Sequence, residues 1–211
     1  MKVHVANHPL ISHKLTVLRD ERTDSPTFRL LVSELVTLLA YEATRDVRTK
    51  TIAIKTPVTS TTGQVMAEPQ PVVVPILRAG LGMLDGMTKL LPTAQVGFLG
   101  MVRDEETLQA STYANRLPDD LSGRQVFVLD PMLATGSSIV MTYKALLERG
   151  IPRHTHIVSA LASAQGVDYV KRHLSFSVTL WCGAIDEELT AQAYIVPGLG
   201  DAGDLAYGAK L

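Results

Sequence analysis

The chain has 211 residues, 46% of them hydrophobic, and a formal charge of −1 at pH 7. That length suits one domain with a proper core, and the near-zero charge excludes the strongly basic footprint of a nucleic-acid binder. The single cysteine, Cys182, excludes an internal disulfide and fits a reducing compartment.

The first ten residues, MKVHVANHPL, lack the continuous apolar core of a signal peptide. No apolar stretch approaches the ~18–20 residues that span a bilayer, so a soluble cytoplasmic protein with no membrane partner is expected. The first clear helix opens with Ser25 as cap and Pro26 at the first helical position, and its stripe is Phe28, Leu31, Val32, Leu35, Leu38 and Leu39. Residues 50–68, KTIAIKTPVTSTTGQVMAE, alternate apolar and polar residues around a TTG turn and predict a β-hairpin arm. VVVPIL at 72–77, VGFLGM at 96–101, VFVL at 126–129, IVSALA at 157–162 and VTLWC at 178–182 read as strands buried on both faces. Between them lie amphipathic helices, one with Met83, Leu84, Met87, Leu90 and Leu91 on a face, another with Ile139, Tyr143, Leu146 and Leu147 before Gly150. Residues 103–123 are polar and too long for an ordinary connection, which predicts a flexible lid or binding loop. Alternating strands and helices predict an α/β fold, a mostly parallel sheet flanked by helices. With no repeat, low-complexity tract or linker, residues 1–211 read as a single domain.

The segment richest in chemistry is VFVLDPMLATGSS at 126–138, where a strand runs straight into Asp130 and small residues open a helix. Ligands of open α/β sheets collect at the carboxyl ends of strands. The loop offers backbone N–H groups, the hydroxyls of Thr135 and Ser138, and a helix N-terminus carrying roughly half a positive charge, parts that suit a phosphate monoester. Asp130 can accept hydrogen bonds from both hydroxyls of a ribose. The plain alternative is a βα turn in which Asp130 caps a helix, and these residues alone leave both readings open. The absence of a GK[ST] ending disfavours a P-loop ATPase.

Residues 198–203, GLGDAG, match GxGxxG. A dinucleotide fingerprint must open a helix inside a βαβ unit and be followed about 20 residues later by an acidic residue. Only residues 204–211 remain, too few for that helix and a returning strand.

At this point the motifs converge. VLDPMLATGSS at 128–138 resembles the phosphoribosyl-diphosphate (PRPP) motif of type I phosphoribosyltransferases, and its DP pair is similar to the uracil phosphoribosyltransferase branch. HPL at 8–10, YEAT at 41–44, VPILRAGLGM at 74–83, RDEET at 103–107 and YIVPGLGDAGD at 194–204 agree, so the likeness runs from about residue 8 to 208. It implies a type I phosphoribosyltransferase fold with a hood over the base, contributed by the N-terminal segment and about residues 183–211. The implied activity is pyrimidine salvage: a pentosyl transfer from PRPP to N1 of uracil, giving UMP and diphosphate.

The resemblance also assigns roles. Asp130 would hold the ribose, and Pro131, Met132, Leu133, Ala134, Thr135, Gly136, Ser137 and Ser138 the 5′-phosphate. Arg78 and Arg103 would meet the diphosphate, and Mg²⁺ would arrive bound to PRPP with no dedicated protein metal site. Main-chain groups near Ile195, Gly200, Asp201 and Ala202 would read the uracil edge, with Asp201 also facing PRPP. Glycines suit such a loop, because a missing Cβ lets the backbone approach a flat ligand. Tyr113 would belong to the lid, and a cis peptide is implied near Leu77–Arg78. Members are often homo-oligomers, dimers or tetramers, and some respond to GTP.

Three departures stand out. Ser137 replaces a usual second glycine, which would cost roughly 1–2 kcal/mol at positive φ and nothing in a helix; the second case is expected. Residues 110–112, AST, replace a proline-bearing stretch, and 164–166, AQG, replace PEG in a strand-to-helix turn. The pair His154 and His156 is expected at the surface rather than on a metal. The acidic runs 104–106 and 186–188 read as solvated faces. Two other functions remain open: a PRPP-sensing pyrimidine regulator that binds RNA and has weak or no transferase activity, and the same chemistry on a purine.

Overall fold

Apolar runs without polar interruption need cover on both faces, and the chain supplies it. The computed structural model describes residues 1–103 and 110–208, with only the backbone described at Arg103 and Ala110. The first half contains β1 (Lys2–Val5), α1 (Pro9–Arg19), α2 (Ser25–Ala43), β2 (Thr49–Lys55), β3 (Ser60–Met66), β4 (Val72–Leu77), α3 (Leu81–Leu90), β5 (Gln95–Val96) and β6 (Phe98–Arg103). Next come β7 (Ala110–Arg116), β8 (Gln125–Leu129), β9 (Met132–Leu133), α4 (Ser137–Leu147) and β10 (His154–Ser163). The chain continues through α5 (Ala164–His173), β11 (Val178–Asp186), β12 (Glu188–Leu189), β13 (Ile195–Val196) and α6 (Ala202–Tyr207).

Among the described residues, nine strands join one sheet in the order β1-β11-β10-β8-β4-β6-β7, with β5 beside β4 and β9 beside β10. Its pairings are parallel except that of β6 with β7. Successive side chains of a strand point to opposite faces. Val73, Phe127, Leu129 and Val158 therefore pack under α1, α2, α3 and α6, while Val72, Val74, Val126, Val128 and Ile157 pack under α4 and α5. This is the expected α/β class. No helix among the described residues is long and apolar enough to cross a membrane.

Four local expectations need correction. Asp24, not Ser25, caps α2: its carboxylate accepts from the Thr27 N–H at 2.9 Å. Ser25 and Pro26 are the first two helical residues, and proline is tolerated there because N–H groups of the first turn have no partner within the helix. The hairpin arm turns at Thr56–Thr59, where the Thr56 hydroxyl accepts from the Val58 and Thr59 N–H groups, and the TTG sequence lies inside β3. Pro57 fits a turn better than Gly63 because its φ is already set. Residues 110–116 of the expected lid form the edge strand β7, while 104–109 lie outside the described residues. With one strand neighbour and exposed residues at 111–113, β7 has no apolar alternation to announce it. Leu147, placed on the buried stripe of its helix, is 41% exposed.

Candidate functional site

The parallel strands end along one edge of the sheet. In spatial order these ends are Asp186 of β11, Ser163 of β10, Leu129 of β8 leading into Asp130, Leu77 of β4 leading into Arg78, and Arg103 of β6. After β4 the chain crosses by α3 on one face, and after β8 it crosses by α4 on the other. Neighbouring β4 and β8 thus flank a topological switch point, where open α/β sheets bind ligands.

Asp130 is half-buried, and its N–H donates to the Val158 carbonyl at 3.2 Å. The loop after it touches β10 through β9 and enters α4 through Gly136, whose φ of +80° no side-chain-bearing residue adopts readily. The positive φ falls on Gly136 and not on Ser137, so the serine opens the helix as expected. Its hydroxyl lies 3.0 Å from that of Thr135, and Ser138 is also half-buried. An open cavity of about 350 Å³ borders Thr135 and is lined by Gln165, Asp168, Tyr169 and Arg172 of α5 and by Leu189.

The turn that carries the 164–166 departure has a role here through Gly166, the residue that the departure leaves unchanged, and nothing in the structure explains Ala164 and Gln165. The Ser163 hydroxyl donates to the Ala134 carbonyl at 2.6 Å and accepts from the Gly166 N–H at 2.8 Å. It therefore caps α5 and ties that helix to the 130–138 loop. Gly166 is required by the contact, since a Cβ there would stand 2.1 Å from the Ala134 oxygen.

Arg78 follows a cis peptide from Leu77, as the resemblance implies. The turn it opens lies against β8, where a Cβ on Gly80 would meet the Leu129 oxygen at 2.4 Å. Its Nη2 reaches Asp204 Oδ1 at 3.2 Å, which joins this turn to the C-terminal segment. Asp201 caps α6, accepting from the Asp204 N–H at 3.0 Å. Ile195 and Ala202 are buried, Asp201 is half-buried and Gly200 is exposed with φ +93°. α6 has six residues and no returning strand follows among the described residues, so the βαβ unit of a dinucleotide site is absent there.

The backbone of Arg103 ends β6 at the same sheet edge, and its side chain lies outside the description. Tyr113 sits on β7, 58% exposed, with its ring over Gly100. Among the described residues, no three His, Cys, Asp or Glu side chains gather closely enough to hold a metal by themselves.

Sequence reasoning missed several groups. Asp204 stands three residues after the cap Asp201, a spacing that marks helix starts and was available as a signal. Arg19 and Asp186 gave none, being 167 residues apart. Asp186 was expected in a solvated face; it is buried, taking two hydrogen bonds from Arg19 at 2.6 and 2.8 Å and one from the Gly198 N–H at 2.9 Å. Glu187 and Glu188 are exposed, while the 104–106 run lies outside the described residues. The histidines also depart from expectation, because β10 is an inner strand covered on both faces. His156 is buried, stacks on Phe127 at 4.7 Å and accepts from the Trp181 indole at 3.1 Å. Burial pushes its pKa down to about 4, which keeps it neutral.

The Arg19 hydrogen bonds, then that from Gly198, hold the Asp186 carboxyl below its ordinary range. A depressed carboxylate contributes stability that is present above its unfolded pKa and lost as pH falls through the folded one. Asp186→Asn is therefore expected to lower the urea midpoint at pH 7, with the gap to wild type closing in acid below the ordinary carboxylate range. Midpoints measured from pH 7 to pH 3 check this, and a constant gap would contradict it.

Comparison with known proteins agrees with this geometry. The family model described as uracil phosphoribosyltransferase matches residues 5–209. Proteins of Streptomyces avermitilis and Streptomyces coelicolor, each named uracil phosphoribosyltransferase, are 65% and 64% identical over 210 residues, covering 99% of this chain and 99% of theirs. The solved structure of the AQ2163 protein from Aquifex aeolicus superposes with a TM-score of 0.93 at 37% identity, covering 99% of both chains. The chain belongs to the uracil phosphoribosyltransferase family.

Proposed function

We propose that this chain is a cytoplasmic pyrimidine salvage enzyme that transfers the 5-phosphoribosyl group from PRPP to N1 of uracil, forming UMP and diphosphate. It acts as one domain over residues 1–211, with the hood drawn from the N-terminal segment and residues 183–211. One observation carries the reading: Asp130 and Arg78 flank the switch point of the sheet, and Arg78 is tied directly to the C-terminal segment through Asp204.

In this reading Asp130 accepts hydrogen bonds from the two ribose hydroxyls. The N–H groups of residues 131–138 and the hydroxyls of Thr135, Ser137 and Ser138 take the 5′-phosphate at the start of α4. The C1′–O bond to the diphosphate breaks with its electron pair leaving on oxygen, while N1 of uracil closes on C1′ and gives up its proton to the departing diphosphate. Arg78 and Arg103 suit the departing diphosphate because a guanidinium binds oxygens in pairs and stays charged. Mg²⁺ carried on PRPP would neutralise further charge on that group. Asp201 and Asp204 fit it as hard oxygen donors beside Arg78, since this ion takes one or two carboxylates with substrate phosphates. Backbone C=O and N–H groups near Ile195 and at Gly200, Asp201 and Ala202 read the alternating polar edge of uracil. Cytosine places an amino group where uracil has O4, and the mismatch leaves buried polar groups unpaired. A lid carrying Tyr113 would exclude water from the reacting centre.

A radiolabelled transfer assay tests this, with uracil, PRPP and Mg²⁺ beside cytosine, hypoxanthine and no-base controls. UMP from uracil alone is expected. Transfer to hypoxanthine instead would mean a purine enzyme, and PRPP binding without any transfer would mean the sensor. The proposal extends to a homo-oligomer, a dimer or tetramer, and to GTP as effector, tested by sedimentation and by the assay with and without GTP.

A further inference from the structure

We infer that Arg19 and Asp186 form a clamp that positions the base-reading loop, so that both are positioning residues for uracil. The inference rests on the transfer reading above and concerns residues outside the PRPP and uracil contacts already named. Arg19 is the last residue of α1 and Asp186 the last of β11, and both meet the main chain of Gly198. Asp186 Oδ2 accepts from the Gly198 N–H at 2.9 Å, and Arg19 Nη1 donates to the Gly198 carbonyl at 3.0 Å. Both polar groups of one peptide position are thereby fixed, two residues before Gly200 and three before Asp201.

The geometry leaves Gly198 no other arrangement. Its φ is +61°, and a Cβ there would lie 1.9 Å from the Ile195 oxygen. The turn is too tight for a side chain, so its orientation must be set by main-chain bonds. Arginine is the side chain that can set it, because its planar fork meets the two carboxylate oxygens and still supplies a donor to the carbonyl. A buried ion pair is a poor device for stability alone, since desolvation offsets much of its attraction. Here Asp186 is 8% exposed and accepts three hydrogen bonds, an arrangement that fixes direction.

The test compares wild type with Asp186→Asn, Arg19→Met and Arg19→Lys, and with Lys14→Met, which breaks the Lys14–Glu34 ion pair between α1 and α2 away from the loop. KM for uracil, KM for PRPP, kcat and the thermal midpoint are measured for each full-length protein. Asp186→Asn and Arg19→Met are expected to raise KM for uracil about tenfold or more, with KM for PRPP within about twofold. Arg19→Lys keeps the charge and its donors but not the planar fork, so it should recover part of the uracil affinity and serves if Arg19→Met does not fold. Lys14→Met should leave both KM values unchanged. A KM for uracil that does not move, or KM values for uracil and PRPP that rise together in step with the loss of midpoint, would overturn the clamp as a positioning device. Wild type that forms no UMP would instead overturn the transfer reading on which it rests.

Discussion

Asp130→Asn is expected to lower kcat/KM for PRPP at least about a hundredfold while the protein stays folded. The magnitude follows from what an amide cannot do. A carboxylate accepts two hydroxyl hydrogen bonds, each worth about 1.5–3 kcal/mol where one partner is charged, and losing the charge and one acceptor removes most of that. At about 1.4 kcal/mol per tenfold, two weakened bonds amount to two decades or more. The fold should tolerate the change because the residue's place is set by its backbone: Asp130 N–H donates to Val158, and β8 is paired on both sides. Steady-state kinetics with a circular-dichroism melt decide the matter. A variant with near-normal kcat/KM would remove Asp130 from the ribose, and with it the assignment of this loop to the sugar phosphate.

Gly166→Ala should reverse the ordinary sign of a glycine-to-alanine change in a helix. In an open helix the alanine gains roughly 1 kcal/mol. Here its Cβ would lie 2.1 Å from the Ala134 oxygen, 3.0 Å from the Ala134 carbonyl carbon and 2.7 Å from Leu133 Cδ2. A backbone oxygen cannot swing aside as a side chain can, so either α5 or the 130–138 loop must shift, and such overpacking costs about 1–3 kcal/mol. The clash therefore outweighs the propensity. Because the same shift strains the Ser163 to Ala134 bond, KM for PRPP should rise about tenfold, while KM for uracil moves less. Unfolding midpoints and the two KM values check this. An unchanged midpoint with an unchanged KM for PRPP would mean that the two elements part freely.

Much of this was legible because local patterns declare themselves. The five central strands are continuous apolar runs, and the sheet contains each of them, with VGFLGM divided at Gly97 into β5 and β6. The α2 stripe is visible as a 3.6-residue repeat. The 128–138 and 194–204 motifs carry their chemistry in adjacent residues. What escaped depends on distance or on a missing contrast. Arg19 becomes meaningful only when the fold brings it to Asp186 and Gly198. β7 is polar because it is an edge. His156 reads as a polar residue in a pair, yet inside the sheet it stacks on Phe127 and accepts from Trp181, while its Nε2 lies 3.6 Å from Asp46 Oδ1, beyond hydrogen-bond reach. The tie at Gly166 escaped because its reason, the Ala134 carbonyl, lies 32 residues earlier in the chain.

The backbone of the C-terminal loop also bears on how this protein can change over evolutionary time. Gly198 and Gly200 hold φ values of +61° and +93°, and Gly198 has no space for a Cβ. Point mutations alter side chains, and at Gly198 they have nothing to offer except disruption. If the loop reads the base as proposed, selection for a new base has no single-residue step at Gly198, and lengthening or shortening the loop is the more accessible route. Among descendants of such a chain, altered preference should travel with insertions and deletions between β13 and α6, while the glycine spacing itself stays frozen wherever the original preference is kept.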